Sequence, residues 1–226
     1  LSVISILGIL NSSQINAADT DITNGIVVDS TLDTSDANIG DGDCDDGDGN
    51  CTLRAAIEEA NTNADLTPIS FNIAPFDGSV KTFRPETVYP TITNPVTING
   101  IGQNGASCEP RTLKIEINGE DMTSDNTEIM TITADDSSIR GIAFYGYATL
   151  TDTVRITDGQ GSSVTCSNFG VNALGVNPYP SGDARSGGLA IVSSSNNVIG
   201  GNTLAERNVF SRNDSRSGLR IADDDE

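Results

Sequence analysis

Short stretches in which apolar residues alternate with polar ones recur along this chain. Met130-Thr131-Ile132 and Val154-Arg155-Ile156 lie 24 residues apart, and the phrases Ile139-Arg140-Gly141-Ile142-Ala143-Phe144 and Val164-Thr165-Cys166-Ser167-Asn168-Phe169 lie 25 apart. Val96-Thr97-Ile98, Ile115-Glu116-Ile117, Leu189-Ala190-Ile191 and Leu219-Arg220-Ile221 repeat the same triplet. In an extended chain the flanking residues of each triplet share one face and the middle residue takes the other. Strands this short cannot bury an apolar face alone, so a period near 25 predicts stacked parallel turns around a narrow column. The outward positions, taken in turn order as one ladder, are Thr97, Glu116, Thr131, Arg155, Ala190 and Arg220. Ile191 and Ile221 are 30 residues apart, which predicts bulging loops between some turns. The longest insertion runs from Asn172 to Gly188, and insertions of this kind often build a binding face.

Only the stretch 52–61 follows the helical period. Leu53, Ala56, Ile57 and Ala60 form its apolar face, with Arg54, Glu58 and Glu59 turned away and Thr52 placed to cap it. A lone amphipathic helix ahead of stacked strands reads as a cap over the first turn; packing on the side of another small core is the alternative. Ile26-Val27-Val28 is a further strand candidate. Leu1 to Leu10 is apolar, too short to span a bilayer, and followed by small residues at Ala17 and Ala18, as in an export signal. The expected organisation is a signal remnant over 1–18 and one domain over 19–226, its cap at about 26–64 and its turns at about 65–226. Past Leu219-Arg220-Ile221 comes only Ala222-Asp223-Asp224-Asp225-Glu226, which closes nothing, so further turns are expected in the natural protein.

Composition narrows the function classes. Hydrophobic residues make up 36% and aromatics 4%, too little for a broad core but enough for a column. The net charge of −20 argues against nucleic acid and against anionic membrane as partners. The chain has no His and no Trp, which removes His-based triads, His metal sites and Trp sugar platforms.

The densest chemistry lies in residues 40–51. Asp41, Asp43, Asp45, Asp46, Asp48 and Asn50 open like a calcium loop, but Asp46 and Thr52 stand where an EF-hand needs Gly and Glu. A solvated acidic loop and a looser Ca²⁺ site both remain open here. Cys44 and Cys51 bracket most of the loop at a spacing that suits a local disulfide in an exported chain. Cys166 alternates with Val164 and is expected in the core as a small hydrophobe, while Cys108 sits in a polar loop. A Cys108–Cys166 bridge stays open as an alternative, but their positions do not suggest it, and two free thiols are expected.

The segment Cys51-Thr52-Leu53-Arg54-Ala55-Ala56-Ile57 with Glu59-Ala60-Asn61 resembles the Cys-Ser-Leu-Arg-Glu-Ala segment that opens many secreted bacterial right-handed β-helix proteins. Thr52 replaces the Ser of that segment and Ala55 its Glu. Tyr89 to Gly100 is similar to the first turn of such proteins, and Asn197-Val198-Ile199-Gly200-Gly201 with Asn208 to Asn213 to later ones. The resemblance implies an all-β fold: a single-stranded right-handed parallel β-helix with one N-terminal capping α-helix, of pectate-lyase-like architecture. It implies secretion or surface display and no single activity, since that architecture carries lyases, hydrolases, adhesins and inert spikes.

The function expected is structural, adhesive or binding, at the cell surface or outside the cell. The partner would be an extracellular polysaccharide or another surface component, with Ca²⁺ as the one cofactor to consider and no transmembrane segment. The alternative is a polysaccharide lyase or glycoside hydrolase. Asp135-Asp136 is a paired carboxylate and Arg155 and Arg220 are outward bases, yet Asp135-Asp136-Ser137-Ser138 is also ordinary turn chemistry. No catalytic residue is assigned; Asp135, Asp136 and Asp183 could only meet through loops.

Overall fold

The computed structural model describes residues 25–123, 127–146, 152–176, 187–211 and 217–223. The expected signal stretch therefore lies outside the described residues, as does Asp183.

Every triplet named above is a strand, and the strands collect into three parallel sheets. The first holds β1 (Ile26–Val28), β2 (Thr67–Phe71), β4 (Val96–Asn99), β9 (Ser138–Arg140), β12 (Ser163–Thr165) and β15 (Val198–Ile199), in that order. The second holds β3 (Lys81–Phe83), β7 (Ile115–Asn118), β10 (Ile142–Tyr145), β13 (Asn168–Phe169) and β16 (Val209–Phe210). The third holds β8 (Met130–Ile132), β11 (Val154–Thr157), β14 (Leu189–Val192) and β17 (Leu219–Ala222). From β9 onward the chain visits first, second and third sheet in rotation. A separate antiparallel hairpin, β5 (Ser107–Cys108) with β6 (Arg111–Thr112), hangs from the connection between β4 and β7.

The period seen in the sequence is the pairing register. Ile139 lies beside Val164, Ala143 beside Asn168 and Met130 beside Val154. Parallel register sets like on like, so Ile98, Ile139, Val164 and Ile199 form one column. Phe144, Phe169 and Phe210 form another, their rings stacked at 5.6 and 5.0 Å between centroids. A single apolar cluster draws on all three sheets and holds the flanking residues of every triplet from Val96-Thr97-Ile98 to Leu189-Ala190-Ile191.

The connections from the third sheet back to the first are equal in length: residues 133–137, 158–162 and 193–197. Their fourth residues, Asp136, Gly161 and Asn196, all have positive φ (50°, 74° and 58°). These are the residue types that tolerate the left-handed region. At Gly161 a Cβ would collide with Asp136 Oδ1, so any larger residue there would have to displace that carboxylate. The hydrogen-bond ladder continues through the turns by side chains: Ser162 Oγ accepts from Ser137 N (3.3 Å) and Asn197 Oδ1 from Ser162 N (3.0 Å).

The helix α1 (Leu53–Ala60) lies against β1, at one end of the first sheet. Thr52 Oγ1 accepts from Ala55 N at 3.0 Å, as an N-cap should, and Leu53, Ala56, Ile57 and Ala60 enter the common core. One expectation fails. Arg54 and Glu59, expected on the solvent side, are only 8% and 6% exposed. The polar face of the helix is covered by residues 33–42 and 86–88, which are loops that a helical wheel cannot see. Arg54 meets both carboxylate oxygens of Asp33, the carbonyls of Thr87 and Val88, and the face of Tyr89 at 5.2 Å.

The cysteines bring a second correction. Cys44 and Cys51 are bonded, and Cys108 and Cys166 are bonded as well, leaving no free thiol. Cys166 has φ 57°, and its register partner at the same corner, Gly141, has φ 75°. A residue in that conformation drops out of strand alternation. Its side chain therefore leaves the column and joins Cys108, Leu113, Ala143 and Ala173 in a small cluster outside it.

Candidate functional site

The acidic loop is organised by α1. Glu59 accepts from Gly40 N (2.6 Å) and Gly42 N (2.8 Å), and Glu58 accepts from Asp36 N (2.7 Å). The loop's own carboxylates mostly serve backbone amides a few residues on: Asp41 takes Asp43 N, Asp45 takes Gly47 N and Gly49 N, and Asp46 takes Asp48 N and Asn50 N. Asp46 also accepts from Thr34 Oγ1 and Asn50 Nδ2. The Thr34 bond, with these others, holds its carboxyl at about 2, well below the usual carboxylate range. Asp43 and Asp48 are exposed. Among the described residues no group of three or more His, Cys, Asp or Glu side chains is placed to hold a metal ion. Of the candidate ligands, Asp41, Asp45 and Asp46 thus accept from amides within their own turns.

The outward residues do not form one ladder. Thr97 belongs to the first sheet and Glu116 to the second; only Thr131, Arg155, Ala190 and Arg220 stack on one another, in the third. Taking one triplet per turn mixes the sheets, because a turn contains three strands. Arg155 pairs with Glu128 at 3.6 Å and Arg220 with Asp152 at 3.0 Å, so both bases hold acids at the sheet margin. Ala190 between them is fully buried.

Glu116 points away from the column and is nonetheless only 7% exposed. Thr82 Oγ1 (2.7 Å) and Tyr145 OH (2.9 Å) donate to its Oε1, and Ala173 N (2.9 Å) donates to its Oε2. It ties residues 170–176, the start of the longest insertion, onto the outer face of the second sheet. Three donors on a buried carboxylate describe a structural anchor, and nothing in the triplet pattern could have revealed it.

Asp135 and Asp136 fall in the turn 133–137. Asp135 Oδ1 accepts from Gln160 N at 2.8 Å, which spends it on the neighbouring turn. The connections from the second sheet to the third are of another kind. Residues 119–129, 146–153, 170–188 and 211–218 are longer than the turns 133–137, 158–162 and 193–197, and each links the end of a second-sheet strand to the start of a third-sheet strand. No family model matches this chain, and no curated protein is similar to it in sequence.

Proposed function

We propose that this chain is a right-handed parallel β-helix, exported from the cell, whose role is to present a binding edge on a rigid stem. Rotation of the chain through three sheets, with like residues in register, supports the helix. A parallel crossover returning to the same sheet is right-handed in nearly all proteins, which supports the hand. The two disulfides are compatible with an oxidising, extracellular setting. The observation that carries the binding role is that every connection from the second sheet to the third is longer than the uniform turns from the third sheet back to the first. A stem needs uniform turns; loops that vary in length and sequence along one edge are how stacked-repeat proteins build recognition surfaces. The ligand proposed is an extracellular polysaccharide or another surface component.

The test replaces residues 177–186 by a short Gly-Ser link, which keeps Ala173 on Glu116, and compares both proteins on arrays of extracellular glycans and on whole cells. Binding should fall in the variant while thermal stability changes little. Undiminished binding would remove the edge from consideration, and release of unsaturated or reducing ends from any polysaccharide would replace this reading with an enzymatic one.

A further inference from the structure

We propose that Asn104-Gly105 is a self-modification site, at which the chain converts its own asparagine to a mixture of aspartate and isoaspartate. The sequence holds four Asn-Gly pairs, at 24–25, 99–100, 104–105 and 118–119. Glycine after asparagine leaves no side chain in the way when its nitrogen approaches the carboxamide. Asn24 lies outside the described residues. The fold treats the other three pairs differently.

Asn99 and Asn118 are spent as caps. Each ends a strand, β4 or β7, and its Oδ1 accepts from the amide two residues on, Ile101 N (3.1 Å) or Glu120 N (3.0 Å). Gly100 and Gly119 are buried at the start of single 3-10 turns. Those bonds commit each carboxamide to a nitrogen other than the glycine's, and burial keeps water and hydroxide from the glycine. Asn104 and Gly105, in the connection from β4 to β5, are both exposed. Among the described residues neither the Asn104 side chain nor the Gly105 N–H has a hydrogen-bond partner. The pair is the tip of a turn closed by Ala106 N on the carbonyl of Gln103 (3.0 Å). The base of that turn is fixed, because the buried Gln103 side chain clasps Ile73 N (2.8 Å) and the Ile73 carbonyl (2.9 Å).

The reaction needs only water. Gly105 N bonds to Asn104 Cγ, the Cγ–Nδ2 bond breaks, and ammonia leaves with the proton that Gly105 N gives up, closing a cyclic succinimide. Water then opens the ring at either carbonyl. One opening gives aspartate; the other gives isoaspartate, whose main chain runs through Cβ. No electrons are exchanged, and each converted chain moves from a net charge of −20 to −21, one carboxylate replacing one neutral amide. The new carboxylate forms next to the Lys114 side chain, whose Cε lies 3.4 Å from where a Cβ on Gly105 would stand and which holds no acid among the described residues. The site stands independently of the proposed binding edge.

The whole chain is aged at neutral and at mildly alkaline pH, folded and in urea, and conversion at each pair is followed by peptide mapping, with an isoaspartate methyltransferase as the probe for the isomer. In the folded chain Asn104 should convert at least about tenfold faster than Asn99 or Asn118, a difference of about 1.4 kcal/mol in barrier. The rate should rise with pH, because the attacking nitrogen must lose its proton. In urea the three rates should converge. Asn104→Gln, which would have to close a larger and slower-forming ring, should stay unconverted while Asn99 and Asn118 behave as before. No conversion at Asn104, or a rate no higher than at the two caps, overturns the site. Aspartate without isoaspartate overturns the cyclic route, and a preference for Asn104 that persists in urea overturns the fold as its cause.

Discussion

Cutting the Cys108–Cys166 bridge is the sharpest perturbation of the fold. The bond closes a loop with a sequence separation of 58, against 7 for Cys44–Cys51. Chain entropy alone assigns the longer loop about 4 kcal/mol and the shorter about 2.4 kcal/mol. Residues 108 and 166 are 5% and 0% exposed, so their replacement also disturbs the outer cluster of Leu113, Ala143 and Ala173. A second contribution acts at Cys166, because alanine there would have to keep φ near 57° without a bond to hold it. Glycine adopts that conformation freely, so Cys108→Ala/Cys166→Gly should be less destabilised than Cys108→Ala/Cys166→Ala by about 1 kcal/mol. Each single Cys→Ala breaks the same bond, and the double variant should cost little more than either single one. Urea unfolding reads all of this, and the slope should rise in the variants because the unfolded chain is released. Wild type in denaturant without reductant should show no reactive thiol. A loss below about 1 kcal/mol for the double alanine variant, against the roughly 4 kcal/mol expected from loop closure, would refute the bridge. Two titratable thiols in the wild type would refute it equally.

Ile57→Asp places a carboxylate in the contact between α1 and the core, where Ile57 is fully buried, and should cost on the order of 3 kcal/mol in thermal or urea unfolding. Glu116→Gln turns an amide donor toward a donor it used to accept from; a loss of about 1–3 kcal/mol is expected, with faster hydrogen exchange at Ala173 N–H as the local sign. Asp46, held at about 2 in the folded chain, binds fewer protons there than when unfolded. Its small contribution is present above its ordinary value near 4 and lost as the pH falls through about 2. An NMR titration of its carboxyl checks this, and Thr34→Val should move its midpoint upward. Calorimetric titration with Ca²⁺ decides the role of residues 41–50: stoichiometric heat abolished by Asp43→Asn together with Asp48→Asn would establish a site there, and no heat at millimolar ion would leave a solvated loop.

Alternation and period by themselves determined the triplet strands and their parallel register, and the helical period the helix at 52–61, because each rests on spacing along the chain. An apolar-polar-apolar triplet is a strand face wherever it occurs, and copies 24 or 25 residues apart stack like on like. Thr52 capped its helix for the same local reason. Tertiary structure decided what lies over the outward faces. Arg54, Glu59 and Glu116 carry charges and read as solvent-facing, yet loops distant in sequence bring amides, hydroxyls and an aspartate to them. Which outward residues share a sheet was also undecided, since a period counts turns and not the three strands within each. The Cys108–Cys166 bond shows the reason most plainly. Strand alternation sends Cys166 inward, and one positive φ at a corner, set by the turn that stacks on Gly141, sends it out to meet a hairpin 58 residues earlier.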